Sequence, residues 1–393
     1  MYEPVHAERR AHGGDGVHEP AVPGNLPARM TRARESRPLP PRPLDSKARV
    51  ERFDPGGMAG KIEGFPAQLR AGGIISAEAV RRIEPRRPRS LVVLGMGGSA
   101  IAGDLLRVLA DREGAVPVHV VRHYEPPSWI TPEDFLVFSS YSGETEETLT
   151  AFRALTQLRT RALVLASGGT LVQRAQGEGV PVALLPAGFP PRAALGYSFS
   201  ALAHVAHHLG ALPDAGARLE RAARALDKAA TACSPDVIQS RNPAKQLAIR
   251  LRGRPIVLVA DKRTAEPVAL RWKGQFNENS KHLAWVSVLP EMNHNEVDGF
   301  VNPGAIVGRI AAVLLRDPSD HPRIVRRFEW LATYLRQRKV QVETVVLEGD
   351  DPMLRLLWGV SRGDFVSFYL ALLNGVDPST LPGVNALKRA LAK

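Results

Sequence analysis

The chain has 393 residues, 44% of them hydrophobic, which is enough to bury more than one core. Its formal charge is +12, and residues 1–57 hold ten Lys or Arg against eight Asp or Glu. The remaining +10 is therefore spread over the rest of the chain, Arg-rich and without interleaved aromatics, which argues against a nucleic-acid partner.

Apolar runs such as SLVVLGMGG and IAAVLLRD are shorter than the roughly 20 residues of a membrane-spanning helix, and the N-terminus lacks the apolar stretch of a signal peptide. A single cysteine, Cys233, allows no intramolecular disulfide and reads as a packed thiol. A soluble, cytoplasmic protein without a membrane partner is expected. Residues 1–57, with nine Pro and six Gly, show neither helical nor strand periodicity and are expected to form a disordered arm.

MAGKIEGFPAQLRAG and AEAVRRIE have helical spacing, and strands follow at short intervals: SLVVLG (90–95), PVHVVR (117–122), DFLVFSS (134–140), ALVLAS (162–167) and VALLPA (182–187). Amphipathic stretches such as AIAGDLLRVLADRE lie between them. After a helical region the pattern restarts with RPIVLVA (254–260), HLAWVSVLP (282–290), IAAVLLRD (310–317) and VETVVLEG (342–349). Continuous apolar strands alternating with helices predict an α/β protein with parallel sheets covered on both faces. The expected division is a first domain at 58–215, a helical linker at 216–245 and a second domain at 246–393. The halves differ in their loops, so one composite site is expected rather than two equal ones.

The first strand ends in LGMGGSAIAGD. Gly95, Gly97 and Gly98 let the backbone approach a ligand before a helix that starts near Ser99. Gly95-x-Gly97-x-x-Ala100 also fits a dinucleotide fingerprint; the second strand ends in Arg122, His123 and Tyr124 rather than in an acidic residue, although an arginine there would suit the 2′-phosphate of NADP. The third strand ends in SSYSGETEET. Ser139, Ser140, Ser142 and Thr145 supply the many donors that a phosphomonoester needs, and Glu144, Glu146 and Glu147 are expected in the first turn of the next helix. The alternative is a serine-rich turn with a helix cap.

The GMGGS and SSYSGETEET loops, PPRAALGY (190–197), NENSK (277–281), PEMNHNE (290–296) and the terminal LKRAL (387–391) together resemble the bifunctional phosphoglucose/phosphomannose isomerases of the sugar isomerase (SIS) domain superfamily, over residues 58–393. The resemblance implies two SIS-type subdomains, each a parallel sheet flanked by helices, and a homodimer with shared active sites. It implies that Gly98, Ser99, Ser140, Ser142 and Thr145 bind the sugar phosphate and that Arg192 lies near the reacting carbons. It further implies Glu278 as the catalytic base, His294 from the neighbouring subunit for ring opening, and Lys388 reaching in from the C-terminal helix.

The residue types suit that chemistry. Moving a carbonyl between C1 and C2 needs one base that takes a proton and returns it to the adjacent carbon, and a carboxylate such as Glu278 can do both. Ring opening moves a proton between O1 and O5, a task for histidine at neutral pH. His294 comes 16 residues after Glu278, just past a strand, so both are expected at one strand-end edge. A fixed guanidinium at Arg192 would stabilise enediolate oxygens. Trp272 and Lys273 read either as a pocket wall or as core. His204, His207 and His208 read as packing and surface residues of a helix, so no metal and no cofactor is expected. The competing functions are a non-catalytic sugar-phosphate sensor and an isomerase of another phosphosugar.

Overall fold

The computed structural model describes residues 42–113 and 116–391. A 3-10 turn at Pro43–Asp45 leads into α1 (Lys47–Phe53), α2 (Met58–Glu63) and α3 (Phe65–Arg81). The first half continues with β1 (Leu91–Gly95), α4 (Gly97–Glu113), β2 (Val118–Val121), β3 (Phe135–Ser139), α5 (Glu146–Leu155), β4 (Arg161–Ala166), α6 (Gly169–Gly177) and β5 (Val182–Leu184). Three helices follow, α7 (Leu195–His208), α8 (Ala215–Cys233) and α9 (Pro243–Leu251). The second half holds β6 (Ile256–Asp261), α10 (Glu266–Glu278), β7 (Ala284–Leu289), the short α11 (Glu296–Gly299) and α12 (Gly304–Val307), β8 (Ala311–Arg316), α13 (Pro322–Gln337), β9 (Gln341–Val346) and α14 (Pro352–Asn374). Residues 42–380 lie in one compact unit, and α15 (Pro382–Leu391) falls outside it.

Each expected strand is present and pairs in parallel, in a five-stranded sheet of order β2-β1-β3-β4-β5 and a four-stranded sheet of order β7-β6-β8-β9. The side-chain period of two explains why the runs are continuously apolar. In the first sheet Leu91, Val93, Phe135 and Val137 join one core, whereas Val92, Leu94, Leu136 and Phe138 pack beneath Phe152 of α5 and Leu171 of α6 on the opposite face. Ile256, Leu258 and Val313 of the second sheet enter the same first core, while Val257, Val259 and Leu314 pack on Phe328 and Leu331 of α13. The two sheets thus share one apolar interior. The segment expected as a linker is helical, and α8 buries Leu219, Ala222, Ala223 and Leu226 in it.

Two expectations are corrected. The disordered arm was expected to reach residue 57; residues 1–41 lie outside the described residues, but α1 is formed within that span. The buried Leu44 and the Arg49 guanidinium, which donates to Leu372 O and Leu373 O at the end of α14, hold it in place. Apolar runs were also expected to be too short to cross a bilayer, yet α14 is long and apolar enough by length and composition. It is a central core helix, and 94% of its most apolar window is buried by protein.

The entries to β1 and β3 are latched by the fully buried carboxylate of Asp134. It accepts from Arg89 Nε (2.9 Å) and Nη2 (2.6 Å), Ser90 Oγ (2.7 Å) and the Thr131 N–H (2.9 Å). Burial alone would raise its pKa; the bonds from Arg89, Thr131 and Ser90 outweigh burial and hold it at about 2. A depressed carboxylate adds stability above its unfolded value of about 4, and this is lost as the pH falls from there through the native value. Asp134→Asn should therefore lower the melting temperature at pH 7, with the gap to the wild type narrowing between pH 4 and pH 2 in thermal scans. An equal gap at both ends of that range would contradict the latch.

Candidate active site

In an open parallel sheet, ligands bind at the carboxyl ends of the strands where the strand order reverses. In the first sheet that point lies between β1 and β3, whose following loops are the glycine-rich and hydroxyl-rich segments. The glycines there are required by close approach. A Cβ on Gly95 would sit 2.4 Å from Ser139 O, and one on Gly98 would sit 3.3 Å from the Arg192 Cα and N. Gly97, at φ 48°, opens α4 two residues earlier than expected.

Across the crevice, Ser139 Oγ donates to Ser99 O (3.0 Å), and the Tyr141 N–H donates to Ser99 Oγ (3.0 Å). Ser140 Oγ, almost fully buried, donates to Thr145 Oγ1 (2.8 Å). Thr145 stands at the N-cap of α5 but gives the helix no side-chain cap, so its first-turn N–H groups remain open at the positive end of the dipole. Ser142 is exposed and accepts from the Glu144 N–H (3.2 Å). Gly97, Gly98, Ser99, Ser140, Ser142 and Thr145 thus share one sheet edge. Glu144 departs from expectation: it lies before α5 and instead accepts from the Thr170 N–H (2.6 Å) and Oγ1 (3.0 Å) at the start of α6.

Arg192, in a 3-10 turn (Pro191–Ala193) ahead of α7, is 3% exposed. Its Nε donates to Asn279 Oδ1 (2.7 Å), and its Nη2 donates to Pro378 O (2.6 Å) and Ser379 O (3.0 Å). Its Nη1 faces Glu278 Oε2 at 3.6 Å. Burial draws the guanidinium pKa below the usual arginine value, and the Glu278 charge opposes that shift. Glu278 closes α10 with its side chain 36% exposed, beside an anchored cation and open to a ligand. Lys281 lies close by, donating to Asp377 O at 2.5 Å. Burial and then Arg192 lower its pKa to about 8, against the charges of Asp377 and Glu278.

His294 is not at this edge. It is exposed in the 3-10 turn (Glu291–His294) that follows β7, whereas Glu278 precedes β7. A six-residue strand separates its ends by roughly 17 Å at ~3.3 Å per residue, so the expectation of one shared edge fails within a single chain. Lys388 lies exposed on α15, outside the unit that carries the other residues. Trp272 is core, fully buried with Nε1 donating to Gly359 O (2.7 Å). His207 and His208 bond the carbonyls of Leu212 and Ile83. Arg122, the residue compatible with a dinucleotide 2′-phosphate, is paired with the buried Asp104 of α4.

Residues 240–391 match the bacterial phospho-glucose isomerase C-terminal SIS domain. The chain is 32% identical over 336 residues to a bifunctional phosphoglucose/phosphomannose isomerase of Caldicellulosiruptor bescii, covering 86% of this chain and 99% of that one. The chain belongs to this family. It is likewise 35% identical over 307 residues to a bifunctional phosphoglucose/phosphomannose isomerase of Aquifex aeolicus, covering 78% and 91% of the two chains. In fold it is similar to a hypothetical protein of Thermus thermophilus, with a TM-score of 0.66, 20% identity, and coverage of 89% and 94%.

This member of the phosphoglucose/phosphomannose isomerase family has a second point of strand reversal, between β6 and β8, and it is filled by internal partners. Thr264 Oγ1 donates to Asp320 Oδ1 (2.7 Å), and Arg355 Nε of α14 donates to Asp317 Oδ2 (2.9 Å). Among the described residues, the second sheet therefore offers no matching crevice. Several supporting residues carried no sequence signal. Tyr141 OH donates to Pro186 O (2.7 Å) and accepts from the Phe189 N–H (3.0 Å), fixing the approach to Arg192. Arg271, paired with the buried Asp364 of α14 at 2.8 Å, donates to Arg192 O. Asn279 Nδ2 donates to Ser367 Oγ (3.0 Å).

Replacing Arg192 by lysine keeps the charge but cannot reach Asn279 and both carbonyls together. Each buried group left without a partner costs about 1 to 3 kcal/mol. Arg192→Lys should lower the melting temperature by several degrees and weaken turnover more than binding of the sugar phosphate. Unchanged stability in calorimetry would show that these bonds are not the anchor.

Proposed function

We propose that the protein interconverts glucose 6-phosphate and mannose 6-phosphate with fructose 6-phosphate through an enediolate. The observation that carries this reading is Glu278, 3.6 Å from a buried guanidinium whose own backbone packs against Gly98 of the glycine loop. A phosphate held by the N–H groups of Gly97 and Gly98, the hydroxyls of Ser99, Ser140, Ser142 and Thr145, and the open N-terminus of α5 sets the sugar chain across to Glu278. Glu278 removes the C2 proton of the aldose and returns it to C1. Arg192 Nη1 faces the developing oxygen charge. Neither a metal nor a cofactor enters the scheme.

Ring opening falls to His294. The family resemblance implies that this histidine comes from a second copy, in a homodimer with shared sites, and the position of β7 between it and Glu278 within one chain supports that reading. The family resemblance also implies a catalytic role for Lys388 of α15. The cytoplasm is the compartment that suits a phosphosugar substrate. Acceptance of both C2 epimers needs room and a hydroxyl near C2. Ser379 Oγ is buried without a partner and close to Gly56, whereas Thr380 is exposed, which favours Thr380 for that role.

Purified full chain should convert both aldose phosphates to fructose 6-phosphate in a coupled assay. Glu278→Gln should lower both activities together by roughly 10²- to 10⁴-fold while sugar-phosphate binding persists. Binding without turnover in the wild type would favour a sensor instead. Ser142→Ala should raise KM with little change in kcat, corresponding to about 1 to 3 kcal/mol of lost phosphate binding. An unchanged KM would remove Ser142 from the phosphate site.

A further inference from the structure

Between α10 and β7 the chain turns at Lys281, which lies in the left-handed region (φ 49°) that a residue with a side chain seldom adopts. The turn aims its half-buried side chain at the loop after α14, where Nζ donates to Asp377 O (2.5 Å) and back to Asn279 O (3.3 Å). Arg192 holds the next two carbonyls, Pro378 O and Ser379 O. Three successive carbonyls are therefore gripped by two cations from separate segments. Thr380 Oγ1 returns to the same Asp377 O (3.3 Å), and the Ser379 N–H donates to Asp377 Oδ1 (2.7 Å). On the far side Gly56 lies so close to Ser379 that a Cβ there would be 2.3 Å from its Oγ, so the loop cannot retreat that way.

We propose that Lys281 is a positioning residue that fixes the 377–380 loop beside Glu278 and so governs how well Thr380 admits the second C2 epimer. The inference rests on the isomerase reading above. The φ angle and the two carbonyl bonds are the observations that single out this lysine. The charges facing the ammonium are Arg192, Glu278 and Asp377, with Asp54 behind Asp377. With a pKa of about 8, the ammonium is charged at neutral pH and loses its charge just above it. Its bond to Asp377 O then loses its charge assistance.

The test is steady-state kinetics on glucose 6-phosphate and mannose 6-phosphate for the full-length wild type, Lys281→Met and Lys281→Arg, with thermal melts alongside. Lys281→Met should lower kcat/KM for mannose 6-phosphate about 10-fold more than for glucose 6-phosphate, with KM for glucose 6-phosphate within about 3-fold of the wild type. In the wild type the ratio of the two activities should drift as the pH rises through about 8, and in Lys281→Arg it should stay flat. A merely structural lysine would lower both activities in parallel and leave the ratio fixed, and that result overturns the proposal. If Lys281→Met does not fold, the pH dependence of the ratio decides alone. A wild type that turns over neither sugar overturns the isomerase reading and this inference with it.

Discussion

Arg192 carries a full charge into a place where only 3% of it meets water, and the surrounding structure is arranged to satisfy that charge. Removing an ion from water costs several kcal/mol even after relaxation, and one partly exposed carboxylate at 3.6 Å does not offset it. Backbone carbonyls and an asparagine supply the rest, and they come from the end of α10 and the loop after α14. The residue itself is pressed against the glycine loop of the first sheet. The same bonds that stabilise the charge therefore bring the crevice of one sheet together with the carboxylate of the other half. Around them lies a second layer, in which Arg271 with Asp364 holds the Arg192 main chain and Ser367 holds Asn279. Both Asp364 and Ser367 belong to α14, the helix at the centre of the shared core.

The topology limits what one chain can do. A parallel strand puts whatever precedes it and whatever follows it at opposite edges of the sheet, and β7 does this to Glu278 and His294. For the proposed reaction, this separation fits a second copy supplying the histidine that moves the proton at the ring oxygen. The closure of the second sheet's own crevice by Thr264, Asp317, Asp320 and Arg355 fits the same division, because that sheet contributes residues to the first sheet's crevice rather than forming one.

The strands were legible in the sequence because parallel strands covered on both faces must be apolar throughout, and glycine and hydroxyl residues mark their ends. The glycine-rich and hydroxyl-rich loops were legible for the same reason. What stayed hidden depended on contacts distant in sequence. α1 has no buried residue of its own, and its order comes from Arg49 reaching Leu372 and Leu373. α14 is buried on all sides, so it shows no amphipathic period, and the polar residues that interrupt it, Arg355, Asp364 and Ser367, find partners far away in sequence. The spacing of Glu278 and His294 suggested a shared edge, because a count of residues does not register that the chain crosses the sheet between them. Glu144 was expected in the first turn of α5, but the turn at Gly143, packed against Gly168, delivers its carboxylate to the start of α6.

The central claim is that Glu278, held by Arg192 in one chain, works with His294 from another. Co-expressing Glu278→Gln and His294→Ala chains under separate affinity tags and isolating the mixed dimer tests it most directly. Each homodimer should be nearly inactive, and the mixed dimer should hold one intact site, recovering about half of wild-type turnover with both aldose phosphates. A mixed dimer as inactive as its parents would contradict the account.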